Sequence, residues 1–214
     1  MNPEKIALLK ALDISVWKQR PLVNTDLTSS SQVLCLEKLS ECVSTCQLCP
    51  LHSTRTQTVF GTGHKHAELM IIGEAPGFYE DQQGEPFVGR AGKLLNAMLH
   101  SIGFSRRDVY IANILKCRPP NNRDPLPQEV SACTSYLEQQ IALVQPKVLC
   151  ALGRIAGHYL LQTTEPLNRL RHKKHVYGAD NRRLFITYHP AYLLRNPLAK
   201  AEAYRDLLQL KECL

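Results

Sequence analysis

The hydrophobic residues of this chain are concentrated in four short runs, and the segments between the runs repeat apolar positions at helical spacing. Short apolar runs bounded by turn-forming residues are typical of strands that are buried on both faces. We predict such strands at Leu69 to Ile72, Val109 to Ile114, Val148 to Leu152 and Leu184 to Thr187. We predict helices between them at Gly92 to Ile102, Gln128 to Val144 and Arg154 to Leu161.

The order of these elements predicts the fold class. Strands that alternate with helices form mainly parallel sheets with right-handed crossovers, and the helices cover both faces. We therefore expect an α/β fold, a three-layer α/β/α arrangement with a central, mainly parallel four-stranded sheet. Ligands of such folds bind beyond the carboxyl ends of the strands. In this chain those ends carry the segments GEAPG, NILKCRPP and HPAYLLR, where we expect the functional site.

The N-terminal part of the chain has a different pattern. Residues 3–18 have apolar positions at roughly helical spacing, and Pro3 suits a first helical turn. Residues 24–33 are polar and rich in residues typical of turns and linkers. We predict an N-terminal amphipathic helix within residues 1–23, a linker at 24–33 and a catalytic domain at 34–214.

Composition narrows the choice of partner and compartment. The 26 Lys and Arg residues outnumber the 19 Asp and Glu residues, and the resulting charge of +7 favours a polyanionic partner such as nucleic acid. No apolar run is long enough to cross a bilayer, and the N-terminus is charged where a signal peptide is apolar. We expect a cytoplasmic protein that does not contact membranes. Its eight cysteines are then not a disulfide framework, and a clustered subset indicates metal binding or catalysis.

Four of the cysteines have the spacing of a metal site. Cys46 and Cys49 form a C-x2-C pair, and Cys117 and Cys133 flank a proline-rich loop. Four thiolates suit either a tetrahedral zinc ion or a [4Fe-4S] cluster, and spacing alone slightly favours zinc. The alternative is that these cysteines are unrelated buried side chains, because free cysteine is commonly buried.

Several ordered motifs, read together, resemble the family 4 uracil-DNA glycosylases. They are Cys46 with Cys49, Arg55-Thr56, Val59-Phe60-Gly61, GEAPG with Glu80-Asp81, PFVGRAG, NILKCRPP and HPAYLLR, and the resemblance covers about Glu41 to Leu214. It implies a three-layer fold and a [4Fe-4S] cluster held by Cys46, Cys49, Cys117 and Cys133, which reverses the preference for zinc. It also implies removal of uracil from single- and double-stranded DNA, leaving an abasic site. We expect a monomeric bacterial protein associated with the nucleoid.

The resemblance also implies a role for each pocket residue. Phe87 stacks on the flipped uracil, Asn113 reads the edge of the base, and His189 donates a hydrogen bond to uracil O2 as negative charge develops. Glu80 excludes the methyl group of thymine and assists the attacking water. The implied catalytic residues are His189, Asn113 and Glu80, and the implied substrate-binding residues are Glu74, Ala75, Gly77, Phe87, Asn113 and His189.

Each pocket residue also has a purely structural explanation. Phe87 could be a core residue, Asn113 could cap a turn, and His189 could be a loop residue with satisfied hydrogen bonds. These explanations are weak together, because the residues belong to motifs at different strand ends. Ala75 occupies the position where family 1 enzymes carry a water-positioning aspartate. We therefore expect dissociative bond breaking in which DNA phosphates stabilise the sugar cation.

The segment after His189 indicates how DNA is held. Leu193 and Leu194 could form an apolar wedge that fills the space left by the flipped base. The alternative is that these two leucines begin a buried helix. Arg195, Arg118 and Lys116 are expected to contact phosphates.

Three further hypotheses stay open at this point. The segment LLKALDISVWKQRP at 8–21 resembles the N-terminal peptide of the bacterial clamp-loader psi subunit, which predicts that residues 1–21 recruit the protein to the clamp loader. The alternative is a helix that packs on its own domain. The enzyme could act on other deaminated bases, or the chain could be a noncatalytic zinc or iron-sulfur module that binds nucleic acid.

Overall fold

The computed structural model describes residues 35–214. The helix, the linker and the clamp-loader peptide predicted for residues 1–33 lie outside this range, so these assignments stay predictions. No helix among residues 35–214 has the length and apolar character needed to span a membrane.

A six-stranded mixed sheet forms the centre of the described chain. Its strands are β1 (Thr62–Gly63), β2 (Leu69–Gly73), β3 (Tyr110–Asn113), β4 (Val148–Leu152), β5 (His175–Tyr177) and β6 (Arg182–Thr187), in the order β1-β3-β2-β4-β6-β5. The four central strands are mutually parallel and correspond to the four strands expected from the sequence. The other two, β1 and β5, pair antiparallel at the edges. They are only two and three residues long and partly exposed, so no hydrophobic run marks them.

Helices cover both faces of the sheet. They are α1 (Leu36–Ser44), α2 (Phe78–Gln83), α3 (Arg90–Ser101), α4 (Pro127–Val144), α5 (Gly153–Leu161), α6 (Leu167–Leu170), α7 (Pro190–Arg195) and α8 (Lys200–Lys211). The three helices expected from the sequence correspond to α3, α4 and α5, with starts shifted by one or two residues. The three-layer α/β/α arrangement is confirmed.

Alternate residues of each central strand enter different hydrophobic cores. Met70 and Ile72 of β2 belong to the core that contains Leu137 of α4, whereas Leu69 and Ile71 belong to the core that contains Leu95 of α3. Both sets are buried because each face of a strand is covered by helices. This double burial explains why the strands appear in the sequence as continuous apolar runs.

The carboxyl ends of the parallel strands bring the sequence motifs together. At the ends of β2 and β3, the backbone amide of Ile114 donates to the carbonyl of Gly73 (3.0 Å). The backbone amide of Leu115 likewise donates to the carbonyl of Glu74 (3.1 Å). At the end of β4, Gly153 has φ +89°, and a Cβ there would lie 2.9 Å from Cβ of His189. The glycine therefore leaves room for the segment that follows β6.

A buried ion pair supports the segment that follows β6. Arg171 donates to both carboxylate oxygens of Asp206 (2.8 and 3.1 Å), which also accepts from the hydroxyl of Thr187 (2.7 Å). The guanidinium of Arg171 lies 4.0 Å from the ring centre of Tyr188. Because its charge is buried and paired, Arg171 secures the chain next to His189 and is not available to a phosphate.

Candidate active site

A pocket of about 450 Å³ lies at the carboxyl ends of the parallel strands. It is lined by Glu74, Ala75, Pro76, Gly77, Glu80, Phe87, Ala91, Asn113, Pro119, Asn122, Arg123, Asp124, His189, Ala191, Tyr192 and Arg195. Every residue assigned from the sequence to catalysis or uracil binding is in this set. The place is the one expected for a ligand site in a parallel α/β sheet.

Asn113, the last residue of β3, provides the most specific feature of the pocket. Its side chain is buried, and its Oδ1 atom has no hydrogen-bond partner in the described chain. Buried polar atoms are almost always paired, and leaving one unpaired costs about 1–3 kcal/mol. A Cβ at Gly73 would lie 2.3 Å from this oxygen, so the glycine keeps the space beside it open. The amide is therefore arranged to receive an N–H group from a ligand.

Phe87 forms an aromatic wall of the pocket and has a strained backbone. Its φ of +56° lies in the left-handed region, which residues other than glycine rarely adopt. Glu80 stabilises this conformation, because its Oε1 accepts from the amides of Val88 and Gly89 (3.0 Å each). Arg106 adds a hydrogen bond to the carbonyl of Phe87 (3.3 Å). The ring orientation is thus set before any ligand arrives.

His189 caps the N-terminus of α7, and this contact determines where its proton lies. Nδ1 accepts from the amide of Ala191 (3.2 Å), so the neutral ring carries its proton on Nε2. Burial, assisted by the charge of Arg195, lowers the pKa of His189 to about 4. The imidazole is therefore neutral near neutral pH, with its remaining nitrogen as a donor. Its ring centre lies 5.6 Å from that of Phe87.

Glu74 is the pocket carboxyl with the most perturbed ionisation. Burial raises its pKa to about 7, and the charge of Asp124 adds to the effect, while Arg154 opposes it. Asp124 lies on the loop between Cys117 and Cys133 and forms an ion pair with Arg154 (3.2 Å). The loop between these cysteines therefore influences the charge of the pocket.

The four cysteines of the sequence motif line one small, largely apolar cavity. Arg55 donates to Sγ of Cys117 (3.1 Å), and the amide of Lys116 donates to Sγ of Cys133 (3.4 Å). Hydrogen bonds to the cysteine sulfurs help set the reduction potential of iron-sulfur clusters. Within residues 35–214, no three His, Cys, Asp or Glu side chains converge as ligands of a single metal ion. Four thiols around one cavity, with N–H donors to two of them, fit a cluster in which each iron takes one thiolate.

Comparison with known proteins identifies the family. Residues 60–209 match the model of the Uracil DNA glycosylase superfamily. A type-4 uracil-DNA glycosylase of Archaeoglobus fulgidus is 44% identical over 178 residues, which cover 79% of this chain and 88% of that protein. The chain belongs to the type-4 uracil-DNA glycosylases. The type-4 enzyme of Thermotoga maritima is 43% identical over 162 residues, 75% of this chain and 84% of that protein. A type-5 uracil-DNA glycosylase of Thermus thermophilus is 32% identical over 147 residues, 60% and 67% of the two chains.

Two DNA-contact predictions for this type-4 glycosylase are wrong in the structure. Leu193 is fully buried and packs in the core, so it is not exposed as a wedge. The alternative is right about this burial, but the helix α7 begins at Pro190 and not at the two leucines. Lys116 is also buried, and its Nζ donates to the carbonyl of Asn113 (2.6 Å) and to Oε1 of Gln140 (2.5 Å). Leu194 is half-buried, while Arg195 is exposed and lines the pocket.

The type-4 pocket also contains residues that sequence reasoning did not assign to it. Asn122, Arg123 and Asp124 come from the proline-rich loop between Cys117 and Cys133. Arg123 donates twice to the buried carboxylate of Glu129, at 2.8 and 2.5 Å, which fixes the loop. In the sequence, only the prolines that stiffen this loop set it apart, and they do not indicate that the loop lines the pocket.

Proposed function

We propose that this chain hydrolyses the N-glycosidic bond of uracil in single- and double-stranded DNA, leaving an abasic site for base excision repair. The observation that carries the proposal is the buried, unpaired Oδ1 of Asn113. Uracil offers an N3–H donor beside an O4 acceptor, and the amide of asparagine offers the complementary acceptor and donor. Cytosine has an unprotonated N3 and an amino group at these positions. The amide therefore selects uracil.

His189 stabilises the departing base. As the glycosidic bond breaks, negative charge develops on uracil, and Nε2–H of His189 donates to O2. The low pKa keeps the imidazole neutral, so this side chain acts as a donor and not as a base. Phe87 holds the flipped ring in plane by stacking.

Residue 75 is alanine, so this position provides no carboxylate to orient the attacking water. A strongly dissociative reaction needs little base assistance, because the sugar cation that forms reacts readily with water. Phosphates of the bound DNA stabilise this cation. Glu80 excludes the methyl group of thymine and orients the water with its second carboxylate oxygen, while its Oε1 holds the Phe87 loop.

Two substitutions of Glu80 separate these roles. Glu80→Gln keeps an oxygen that can accept from Val88 and Gly89, so we expect the single-turnover rate to fall by less than about tenfold. Glu80→Ala releases the loop and is expected to lower the rate by about a hundredfold, because Phe87 is misplaced. The rates are measured with excess enzyme on uracil- and thymine-containing oligonucleotides. Equal losses in both variants, or unchanged rejection of thymine by both, would contradict the assignment.

An iron-sulfur cluster fits the cysteine cavity. Cys46, Cys49, Cys117 and Cys133 would hold a [4Fe-4S] cluster, which supplies a covalent link between three chain segments and takes no part in hydrolysis. The segment between Cys117 and Cys133 contains the loop that lines the pocket through Asn122 to Asp124. We infer that the cluster positions this loop against DNA.

Removal of one ligand tests the cluster. Cys133→Ser is expected to abolish the visible iron-sulfur absorption and to lower both the melting temperature and DNA affinity, because the loop loses its anchor. The single-turnover rate at saturating DNA should change far less than affinity. Cys42→Ser is the control, since Cys42 is exposed and does not line the cavity. A Cys133→Ser protein that keeps its iron and its absorption would rule out this ligand set.

Alkali cleavage of DNA containing a single uracil tests the main proposal. We expect strand breaks at uracil in both single- and double-stranded substrates, and none at cytosine or thymine. Breaks at hypoxanthine would indicate a glycosylase with a broader range of deaminated bases. Tight binding of DNA without any abasic product would indicate a noncatalytic binding module.

We also propose a location for the enzyme. Its charge of +7 favours association with the nucleoid in the cytoplasm. Residues 1–21 are proposed to contact the clamp loader, on the strength of their sequence resemblance alone. A pull-down with the loader that persists after deletion of residues 1–21 would exclude this contact.

A further inference from the structure

Two large aromatic side chains are exposed at the start of α2, beside the pocket. Phe78 is 49% exposed and Tyr79 is 59% exposed, and both follow Gly77, which lines the pocket. Their rings meet edge to face, with centres 5.5 Å apart. Exposed aromatic rings are unfavourable in water, and their grouping beside a binding site marks a contact with a ligand.

The guanidinium of Arg118 also contacts the ring of Phe78 and helps to hold its orientation. Its guanidinium lies 5.0 Å from the centre of the Phe78 ring, and its Nε donates to Oδ1 of Asn122 (2.7 Å). Asn122 itself lines the pocket. Arg118 forms no ion pair with any residue in the range 35–214, so its charge is available to a phosphate. Phe78 is therefore held in a set orientation next to a free cation, and its ordering costs little on binding.

Neither aromatic side chain belongs to the uracil pocket. The uracil is assigned to Phe87, which is buried inside the pocket, whereas Phe78 and Tyr79 are absent from its lining. Phe78 follows the pocket residue Gly77, and its neighbour Arg118 contacts the pocket residue Asn122, so the part of the substrate expected at Phe78 is a nucleotide adjacent to the flipped uracil. A neighbouring phosphate would then lie near Arg118.

We propose that Phe78, oriented by Arg118, is a stacking site for the base next to uracil in single-stranded DNA. In a duplex that base stays paired and stacked on its other neighbour, so it cannot turn out of the helix onto the ring, even though flipping of the uracil uncovers one of its faces. In a single strand the base can turn onto the ring, and stacking of this kind tolerates any sequence. The inference rests on the proposed function and adds that Phe78 favours single strands over duplexes.

Binding measurements with the full-length protein test this site. The probe is an oligonucleotide in which 2′-deoxypseudouridine replaces deoxyuridine, because its carbon glycosidic bond resists hydrolysis. Fluorescent 2-aminopurine replaces the base on the 5′ or the 3′ side in separate probes, and stacking quenches its emission. The variants are Phe78→Leu, Phe78→Trp and the control Val176→Ala, an exposed apolar side chain on β5 outside the pocket.

We expect Phe78→Leu to weaken single-strand binding by about tenfold and duplex binding by less than about twofold. Quenching on one side of the uracil should disappear in Phe78→Leu and return in Phe78→Trp, while Val176→Ala behaves as the unmodified protein. Equal weakening for both DNA forms, or quenching that persists in Phe78→Leu, overturns the proposal. Failure of the proposed function would give a different result, because the unmodified protein would then release no uracil from either single- or double-stranded DNA.

Discussion

Replacing Asn113 with leucine is expected to lower kcat/KM for uracil-containing DNA by about a thousandfold without reducing the free energy of unfolding. The two effects separate if, as proposed, the amide binds the ligand and does not stabilise the fold. Its Oδ1 is buried without a partner, so the folded protein already bears the cost of that atom. Leucine has the same number of side-chain heavy atoms, branched at the same position, and removes the unpaired oxygen. It also removes both of the hydrogen bonds that we propose to the edge of uracil.

The measurement combines steady-state kinetics with thermal or denaturant unfolding of the same preparations. Asn96→Leu is a matched control, because Asn96 is exposed on α3 and should change neither quantity markedly. A large loss of stability in Asn113→Leu would show that Asn113 holds the fold together. Retained activity would show that another group reads the base.

Replacing His189 is expected to lower the single-turnover rate by about 10² to 10³-fold, with little change in KM. His189→Asn is the informative variant, because an asparagine oxygen can still accept from the amide of Ala191 and cap α7. It places no donor where Nε2–H would meet uracil O2. His189→Ala loses the cap as well, so it should show the same loss of rate with a lower melting temperature. If the rate fell in His189→Ala but not in His189→Asn, the loss would come from the missing helix cap and not from the missing donor.

The pH profile distinguishes a neutral donor from a base. Since burial lowers the pKa of His189 to about 4, the imidazole does not titrate between about pH 5 and 8. His189→Asn should therefore lower the rate by the same factor throughout this range. Burial raises the pKa of Glu74 to about 7, so this pocket carboxyl titrates in that range, and its effect should persist in the variant. If the rate of His189→Asn fell below that of the unmodified protein only at pH values above the usual histidine pKa, His189 would instead act as a general base.

The fold was largely predictable because its physical signals are local. Strands such as β2 and β4 are buried on both faces, which requires uninterrupted apolar runs. The edge strands β1 and β5 escaped prediction because two or three partly exposed residues require no such run. Their positions depend on the neighbouring strands with which they pair.

Leu193 and Lys116 show where local reasoning about the site failed. The apolar pair that follows His189 and three further residues suits a wedge, but Leu193 faces the core because helix α7 turns that side of the segment inward. A lysine within a basic motif suits a phosphate contact, yet Lys116 is enclosed with Asn113 and Gln140 as partners. Exposure depends on the elements packed around a residue, which its own neighbours in the sequence do not specify.

The sequence by itself determined the class of fold, the family and the identity of the residues at the strand ends. The pattern of apolar residues specifies the class of fold, and the order of the motifs specifies the family and the residues at the strand ends. Only the tertiary structure decided that Oδ1 of Asn113 is unpaired, that His189 has its proton on Nε2, and that the loop between Cys117 and Cys133 forms part of the pocket. These properties arise from contacts between segments far apart in sequence, because hydrogen bonding, desolvation and charge depend on what surrounds a group in space.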